Sequence, residues 1–329
     1  MRTPKFLSYS AQACFWKDRE EYVLRYLVDT KIPRAPQEYP ASIGSAFDAK
    51  VKSFLHKRLV GDGNPKYEFE SLFESQVESQ NRDWAMDNVD HVYASYETSG
   101  MLDDLLELME KSTVEPRFEF DVYGDVRGVP VLGKPDCVFK VGTLWFVLDW
   151  KVNGYCSKRG ISPTKGFRLC KDGWVGDKQS KTHGKPHGMY SIDLDSRFGV
   201  AEHYMEDCGQ DGVKWAEQLS MYGWSLGLPI GDENVVLMID QLTCKPIPEA
   251  KPAIRVSNYR CRVRDSFQEL LASRLQECWE RIQKPETVFD SKDSAEQFQT
   301  LNEYAASMHG SQDEDSEYFN TITRRGYRG

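Results

Sequence analysis

Apolar residues recur every three or four positions over much of the first 110 residues, and polar residues fill the positions between them. This spacing places the apolar side chains on one face of a helix. It is clearest in residues 15–27, 47–55 and 89–109. We therefore predict an amino-terminal helical region over residues 1–115.

The period changes at Pro116, where apolar and charged residues begin to alternate. Residues 117–122 alternate strictly, which predicts a half-buried strand. Two further strands are predicted near residues 129–140 and 144–152. The short segment between them, residues 141–143, contains a glycine and predicts a tight hairpin turn.

Residues 153–213 show little apolar periodicity and are rich in glycine and lysine. The helical period returns at Trp215, and apolar runs near residues 235–242 and 253–263 predict two more strands. A final amphipathic helix is predicted over residues 267–282. This order of elements fits one central mixed β-sheet flanked by helices, so we predict an α/β fold.

The predicted elements divide the chain into three parts. The helical region contributes to a sheet-containing core over residues 116–285, and residues 153–213 are an insertion within that core. Residues 286–329 carry an acidic cluster and a basic end. We expect this last part to be a flexible tail.

The composition is ordinary for a soluble globular protein, with 40% hydrophobic and 28% charged residues among 329 and a net charge of −9. No apolar run is long enough to span a membrane, and the first residues lack the apolar core of a secretion signal. We expect a cytoplasmic protein, in the host cytoplasm if the chain is viral, with no membrane partner.

The eight cysteines are scattered singly, which favours reduced thiols.

Two carboxylates and a lysine lie at the ends of the two strands of the predicted hairpin. Asp136 closes the segment Gly-Lys-Pro-Asp, and Asp149 and Lys151 belong to Asp-Trp-Lys. Alternate residues of a strand point to the same side, so Asp149 and Lys151 share a face. Carboxylates hold Mg²⁺ or Mn²⁺, and a lysine orients water or stabilises developing negative charge. The same residues also occur as simple turns and strand ends, so the motifs alone leave both interpretations open.

Several segments in order resemble the PD-(D/E)XK nuclease superfamily, and within it the RecB-like branch. That branch includes the CRISPR-associated RecB-like nucleases and many phage exonucleases. The similar segments are the opening helix with Ser8-Tyr9-Ser10, Gly44 to Asp48, Gly133 to Asp136, Asp149-Trp150-Lys151, and Gln218 to Tyr222.

The resemblance implies a restriction-endonuclease-like core and a Mg²⁺- or Mn²⁺-dependent deoxyribonuclease, with exonuclease activity in DNA recombination, repair or phage DNA processing. It implies that Asp136, Asp149 and the backbone carbonyl of Trp150 bind the metal ion. Lys151 would assist the attacking water. Asp48 would be a further metal ligand, although the first motif of this branch usually ends in histidine or glutamate.

Gln218 and Tyr222 lie four residues apart on a predicted helix, so they project from one face. Taken alone, Tyr222 is typical of a core residue beside Trp215 and Leu219. The resemblance implies instead that Gln218 and Tyr222 belong to the active site, next to the DNA backbone.

A basic segment follows the hairpin. Residues 151–188 contain nine basic and only two acidic residues, with aromatic residues between them, in a chain whose net charge is negative. Basic groups neutralise phosphates and aromatic rings stack on bases, so we expect DNA as the substrate, although many charge runs are solvated surface loops. The residues expected to contact DNA are Lys158, Arg159, Lys165, Arg168, Lys171, Lys178, Lys181 and Lys185.

Two other metal-site types are not expected. A zinc finger in the insertion is disfavoured, because its ligand-type residues are too far apart. These residues are Cys156, Cys170, His183 and His187. We also expect no iron–sulfur cluster with Cys14, since the late cysteines are too widely spaced. These are Cys244, Cys261 and Cys278.

Two alternatives to a nuclease remain open. One is a catalytically inactive PD-(D/E)XK-fold module that binds DNA or a protein, and the other is an interaction protein with an accidental motif. The presence of Asp136, Asp149 and Lys151 together favours the nuclease. A recombination or replication protein and a second copy of the chain are candidate partners. The chain lacks a Walker A loop, so helicase activity would come from a partner.

Reversing the charge of three lysines in the basic segment, for example Lys165, Lys171 and Lys178, should weaken DNA binding. The slope of log K against log salt concentration is negative, and three lost phosphate contacts should reduce its magnitude by about 3. Fluorescence anisotropy of a labelled oligonucleotide across a salt series measures both effects. An unchanged affinity would contradict a DNA-binding role for this segment.

Overall fold

The computed structural model describes residues 1–153 except 31, 33 and 34, and residues 167–169, 200, 203–208, 211–244 and 254–310. Most of the predicted insertion lies outside the described residues, including the four ligand-type residues considered there for zinc. Of the basic residues expected to contact DNA, only Arg168 is described, and it lies in a short strand.

The helices of the described residues are α1 Tyr9–Lys17, α2 Arg19–Tyr22, α3 Tyr39–Leu59, α4 Phe69–Gln76, α5 Arg82–Thr98, α6 Met101–Glu110, α7 Gly212–Ser225, α8 Asp265–Arg281, α9 Pro285–Val288 and α10 Ser294–Gly310. A helical amino-terminal region is therefore confirmed. Within the described ranges, each helix is too short or too polar to cross a membrane.

The strands are β1 Leu7–Ser8, β2 Arg117–Phe118, β3 Val122–Val126, β4 Val129–Gly133, β5 Cys137–Val141, β6 Leu144–Asn153, β7 Phe167–Leu169, β8 Val235–Cys244 and β9 Ile254–Cys261. A six-stranded sheet has the order β2-β5-β6-β8-β9-β7, and a three-stranded sheet has the order β1-β4-β3. In the larger sheet β6 and β8 are parallel and their outer neighbours β5 and β9 are antiparallel to them. The predicted mixed α/β class is confirmed, but the prediction of one sheet was wrong because β3 and β4 belong to a second.

The single strand predicted near residues 129–140 is two strands, β4 and β5, which lie in different sheets. Pro135 separates them, and proline has no N–H group to donate to a ladder. Gly133, at the end of β4, is tightly packed. A Cβ atom there would lie 2.9 Å from Ser225 Oγ and 3.2 Å from Tyr222 Cα. The chain therefore passes directly against helix α7 just before Asp136.

The strand predicted over residues 117–122 is also interrupted. Strand β2 ends at Phe118, and Glu119 follows with φ of 41°, in the left-handed region that residues with a side chain rarely adopt. This conformation turns the chain out of the ladder. It is stabilised in part by the Glu119 N–H, which donates to the carbonyl of Asp136 at 3.1 Å.

The predicted hairpin between β5 and β6 is present. Cys137 pairs with Leu148 and Val141 with Leu144, leaving a two-residue loop in which Gly142 has φ of 58°. Continuing this register by one residue brings Asp136 beside Asp149. The hairpin thus places the two carboxylates of the predicted motif next to each other.

Strand β6 separates two hydrophobic clusters. Phe146, Leu148 and Trp150 pack into the cluster that includes helices α3, α5 and α6. Val147 packs into a second cluster that contains Leu219 of helix α7. Because alternate residues share a face, the side chains of Asp149 and Lys151 lie on the side of α7.

A buried hydrogen-bond network holds the opposite face of β6. The Tyr96 hydroxyl donates to Asp240 Oδ2, and Asn258 Nδ2 donates to Asp240 Oδ1. The Trp150 indole N–H donates to the Tyr96 hydroxyl at 3.3 Å. Buried polar groups are costly unless they are paired, so this network determines the position of Trp150, between the two predicted catalytic residues of β6.

Two compact units are formed. One comprises Met1–Ala35, Gly124–Leu132 and Leu270–Gly329, and the other comprises Pro36–Tyr123 and Gly133–Glu269. These boundaries do not coincide with the division expected at residues 115 and 285. A change of period marks where an element changes type, whereas a unit depends on which elements share a core.

The prediction of a flexible tail from residue 286 was wrong for residues 286–310. Helices α9 and α10 lie there, and Val288, Phe298 and Ala305 are buried. Arg19 also binds this segment, through an ion pair of 2.7 Å with Asp290 and a hydrogen bond of 3.2 Å to the Val288 carbonyl. Residues 311–329 lie outside the described residues.

Candidate functional site

Four of the predicted site residues meet where strand β6 faces helix α7. Asp149 is only 4% exposed and forms an ion pair with the Lys151 ammonium. Gln218 Nε2 donates to Asp149 Oδ1 at 3.1 Å, and Lys151 Nζ donates to Gln218 Oε1 at 3.2 Å. Gln218 Nε2 also donates to the Tyr222 hydroxyl at 2.8 Å. The four side chains form one connected hydrogen-bond network.

Local geometry explains this grouping. Asp149 and Lys151 are two residues apart on a strand, so they share a face, while the Trp150 side chain points into the opposite core. Gln218 and Tyr222 are four residues apart on helix α7, so they are neighbours on its surface. Strand β6 pairs with β5 and β8 along its two edges, so this face of the strand is available to pack against α7.

Asp136 joins the network through the backbone of β6. Its Oδ2 accepts a hydrogen bond of 3.0 Å from the Trp150 N–H. Its Oδ1 accepts one of 2.9 Å from Lys52 Nζ. The predicted role of the Trp150 carbonyl as a metal ligand stays a prediction, since the contact made here is by its N–H group.

A second group of carboxylates surrounds Lys52 of helix α3. Lys52 is completely buried, and its ammonium contacts Asp48 Oδ2 at 2.5 Å, Asp136 Oδ1 and Glu119 Oε2. One oxygen from each of these three carboxylates lies within 4.8 Å of the others. Lys134 binds the second oxygen of Glu119 at 2.5 Å. The site therefore alternates negative and positive groups over a short distance.

Burial and mutual repulsion change the proton affinities of these groups. Burial raises the pKa of Asp149 to about 7, with Lys151 opposing the shift and Asp136 adding to it. Burial and the Asp136 charge also raise the pKa of Asp48 well above its usual range. Burial lowers the pKa of Lys52, but Asp136, Asp48 and Glu119 outweigh it and the pKa is raised. Both lysines remain cationic at neutral pH.

The donor set fits a hard divalent cation. Asp48 Oδ1 is buried and, among the described residues, has no hydrogen-bond partner. An unpaired buried carboxylate oxygen next to two further carboxylates is the type of position that Mg²⁺ and Mn²⁺ occupy. Asp48, Asp136 and Glu119 are the residues whose oxygens would hold it, with Asp149 adjacent. The Lys52 ammonium contacts the same oxygens and supplies positive charge to them.

Lys52 and Glu119 were not predicted as site residues from the sequence. Lys52 lies one turn after Asp48, next to the apolar stripe of α3. A charged residue beside the buried face of a helix could have indicated a buried ion pair. Glu119 was assigned to the polar face of a strand, and its turn into the site depends on a backbone conformation that the alternating pattern does not indicate.

The comparisons with known proteins do not identify a family. No protein-family model matches the chain, and no curated protein matches it in sequence. A comparison with solved structures matches it to the crystal structure of SSO0001, at 10% identity and a TM-score of 0.23, over 83% of this chain and 86% of that one. A TM-score this low carries no argument about fold or function. The candidate site therefore rests on its own geometry.

Asp149→Asn should change the pH dependence of stability in the metal-free protein. With a raised pKa, folded Asp149 holds its proton more tightly than unfolded Asp149, so its contribution to the free energy of unfolding falls as pH rises from about 4 to about 7. The variant lacks this loss. Its stability relative to the original protein should therefore increase over that range.

Urea unfolding in EDTA at several pH values measures this difference. The exposed Asp87→Asn variant is the control and should run parallel to the original protein at every pH. A stability difference between Asp149→Asn and the original protein that stays constant from about pH 4 to 8 would contradict the expectation.

Proposed function

We propose that this chain is a metal-dependent DNA nuclease of the PD-(D/E)XK type, with a restriction-endonuclease-like core, and that it hydrolyses phosphodiester bonds as an exonuclease. The observation that carries the proposal is the meeting of Asp136, Asp149 and Lys151 at the end of one hairpin. Gln218 contacts two of them directly. These residues are distant in sequence from Gln218, so their grouping supports the motif order noted in the sequence.

In this proposal the carboxylates of Asp48, Asp136 and Asp149 hold Mg²⁺ or Mn²⁺, together with the Trp150 carbonyl. When bound, the cation neutralises phosphate charge and lowers the pKa of a bound water. Glu119 is added to the predicted ligand set because its carboxylate lies within the same group.

Lys151 has the role of orienting the water and stabilising negative charge on the phosphate. Its cationic form is maintained, because Asp149 and Asp136 outweigh the burial that lowers its pKa. Gln218 binds the side chains of both Asp149 and Lys151 and so fixes their relative positions. Tyr222 accepts a hydrogen bond that orients Gln218. Such fixed polar groups require no rearrangement during the reaction, which is the main source of electrostatic catalysis.

One observation favours the alternative, a catalytically inactive module of the same fold that binds DNA or a protein. The buried Lys52 ammonium already contacts three carboxylates of the site. A cation held covalently in this way can replace the metal ion as the neutralising charge. The nuclease remains the better-supported function because the Lys52 ammonium contacts Asp48, Glu119 and Asp136, whereas Asp149, Lys151 and Gln218 form a separate hydrogen-bonded group.

Cleavage of DNA should require both the metal and the hairpin residues. We expect linear DNA to be degraded in Mg²⁺ or Mn²⁺ and to persist in EDTA, with circular DNA resistant because an exonuclease needs an end. Asp149→Asn and Lys151→Ala should each lower the rate about 100-fold or more, since they remove charge stabilisation at the reacting group. Asp87→Asn and Lys57→Ala, at exposed positions, are the matched controls.

Gel analysis over time with end-labelled and circular substrates measures these rates. Binding without cleavage would support the inactive module, and neither binding nor cleavage would contradict both functions. Full activity of Lys151→Ala would remove the role assigned to that residue.

Replacing the buried cation should make the site depend more on added metal. In Lys52→Gln three carboxylates lose their shared ammonium, so Mg²⁺ should raise the melting temperature of this variant more than that of the original protein. Lys50→Gln, in the same helix with an ion pair to Asp90, is the control.

Differential scanning calorimetry with Mg²⁺ and with EDTA gives the comparison. Equal Mg²⁺ shifts in Lys52→Gln and the original protein would contradict a shared cation site. A shift in the variant alone, without cleavage by the original protein, would favour the inactive module.

A further inference from the structure

A second set of ligand-type side chains lies next to the start of helix α7. Cys208 Sγ is 3.7 Å from Cys261 Sγ, and Cys261 Sγ is 3.5 Å from His203 Nε2. All three atoms lie within 4.8 Å of one another. Both cysteines are buried and belong to an apolar cluster with Met205 and Trp215.

These distances match a tetrahedral metal site. Zinc binds thiolate sulfur at about 2.3 Å and imidazole nitrogen at about 2.0–2.1 Å. With tetrahedral angles, those bond lengths separate two sulfurs by about 3.8 Å and a sulfur from a nitrogen by about 3.6 Å. The Cys208–Cys261 and Cys261–His203 separations, 3.7 and 3.5 Å, agree with these values to within about 0.1 Å. A disulfide would need the sulfurs much closer, at about 2.05 Å.

Glu206 places a buried carboxylate in the same segment. Its side chain is 7% exposed, and its Oε1 accepts hydrogen bonds of 3.2 Å from the Arg264 backbone N–H and guanidinium. Its Oε2 is buried and lacks a hydrogen-bond partner among the described residues. Arg264 thus pairs with one carboxylate oxygen only, and the unpaired oxygen favours a further positive charge in this segment.

The backbone holds this segment in place. The Met205 N–H donates to the Arg262 carbonyl at 2.8 Å, which ties residues 203–208 to the end of β9. A Cβ atom on Gly212 would lie 2.5 Å from the Met205 carbonyl oxygen, so only glycine allows α7 to start so close to the segment. The donors are therefore positioned by backbone contacts that do not depend on a metal.

We propose that His203, Cys208 and Cys261 bind one zinc ion in a structural site. Soft thiolates together with imidazole select zinc over Mg²⁺ or Mn²⁺, and the apolar cluster around both cysteines suits an ion with a structural role. Binding displaces the two thiol protons to solvent. The ion joins strand β9 to the segment that leads into helix α7, and so stabilises the helix that carries Gln218. The zinc site shares no ligand residue with the proposed nuclease centre.

Metal analysis of the full chain, purified without chelators, tests the proposal. We expect about one zinc per chain by inductively coupled plasma mass spectrometry, as for a structural site. Zinc should be lost in Cys208→Ser and Cys261→Ser and retained in Cys278→Ser, a control at another buried free cysteine. Retained zinc in both ligand variants, or loss in the control alone, would overturn the assignment.

The original chain provides a test that does not depend on whether the variants fold. Metal-depleted protein titrated with Co²⁺ should develop thiolate-to-cobalt charge-transfer absorption and intense tetrahedral visible bands, and added Zn²⁺ should abolish them. Zinc should also raise the melting temperature by several degrees. Absence of the cobalt spectrum, a Cys208–Cys261 disulfide in the mass spectrum of unreduced protein, or iron in place of zinc would overturn the proposal. DNA cleavage is not the readout, so failure of the nuclease assignment leaves this test intact.

Discussion

The candidate site depends on the neutralisation of buried negative charge. Asp48, Glu119, Asp136 and Asp149 lie close together in partly or fully buried positions, where an unpaired carboxylate is costly. Lys52 pairs with three of these carboxylates, and Lys151 pairs with the fourth. A divalent cation bound to these carboxylate oxygens would also neutralise their negative charge, either in place of the ammonium groups or together with them. The two pairings explain how four neighbouring carboxylates can be buried in the fold.

Strand β6 is the element that makes this arrangement rigid. One of its faces is buried against helices α3, α5 and α6, and the other meets helix α7. The Tyr96–Asp240 hydrogen bond and the Trp150 indole N–H fix the strand from the buried face. Functional side chains on a strand held from both sides keep their positions better than side chains on a loop. The site is consequently built on backbone that has little freedom to move.

Helix α7 connects the candidate hairpin site and the proposed zinc site. Its middle carries Gln218 and Tyr222, which bind the hairpin residues, and its first residue, Gly212, packs against the segment that contains Cys208. The two donor sets differ in chemistry. The hairpin offers carboxylate oxygens, which suit hard cations, and the segment before α7 offers sulfur and nitrogen, which suit zinc. Each would select its own ion.

Local patterns in the sequence determined the element types, the hairpin and the shared face of Asp149 and Lys151, because helix and strand periods depend on neighbouring residues alone. Tertiary structure decided the rest. The places of Lys52 and Glu119 depend on contacts across 67 and 84 positions of the chain. The approach of Cys208 to Cys261 spans 53 positions. Contacts of that range follow from which surfaces pack together, and a one-dimensional pattern does not contain that information.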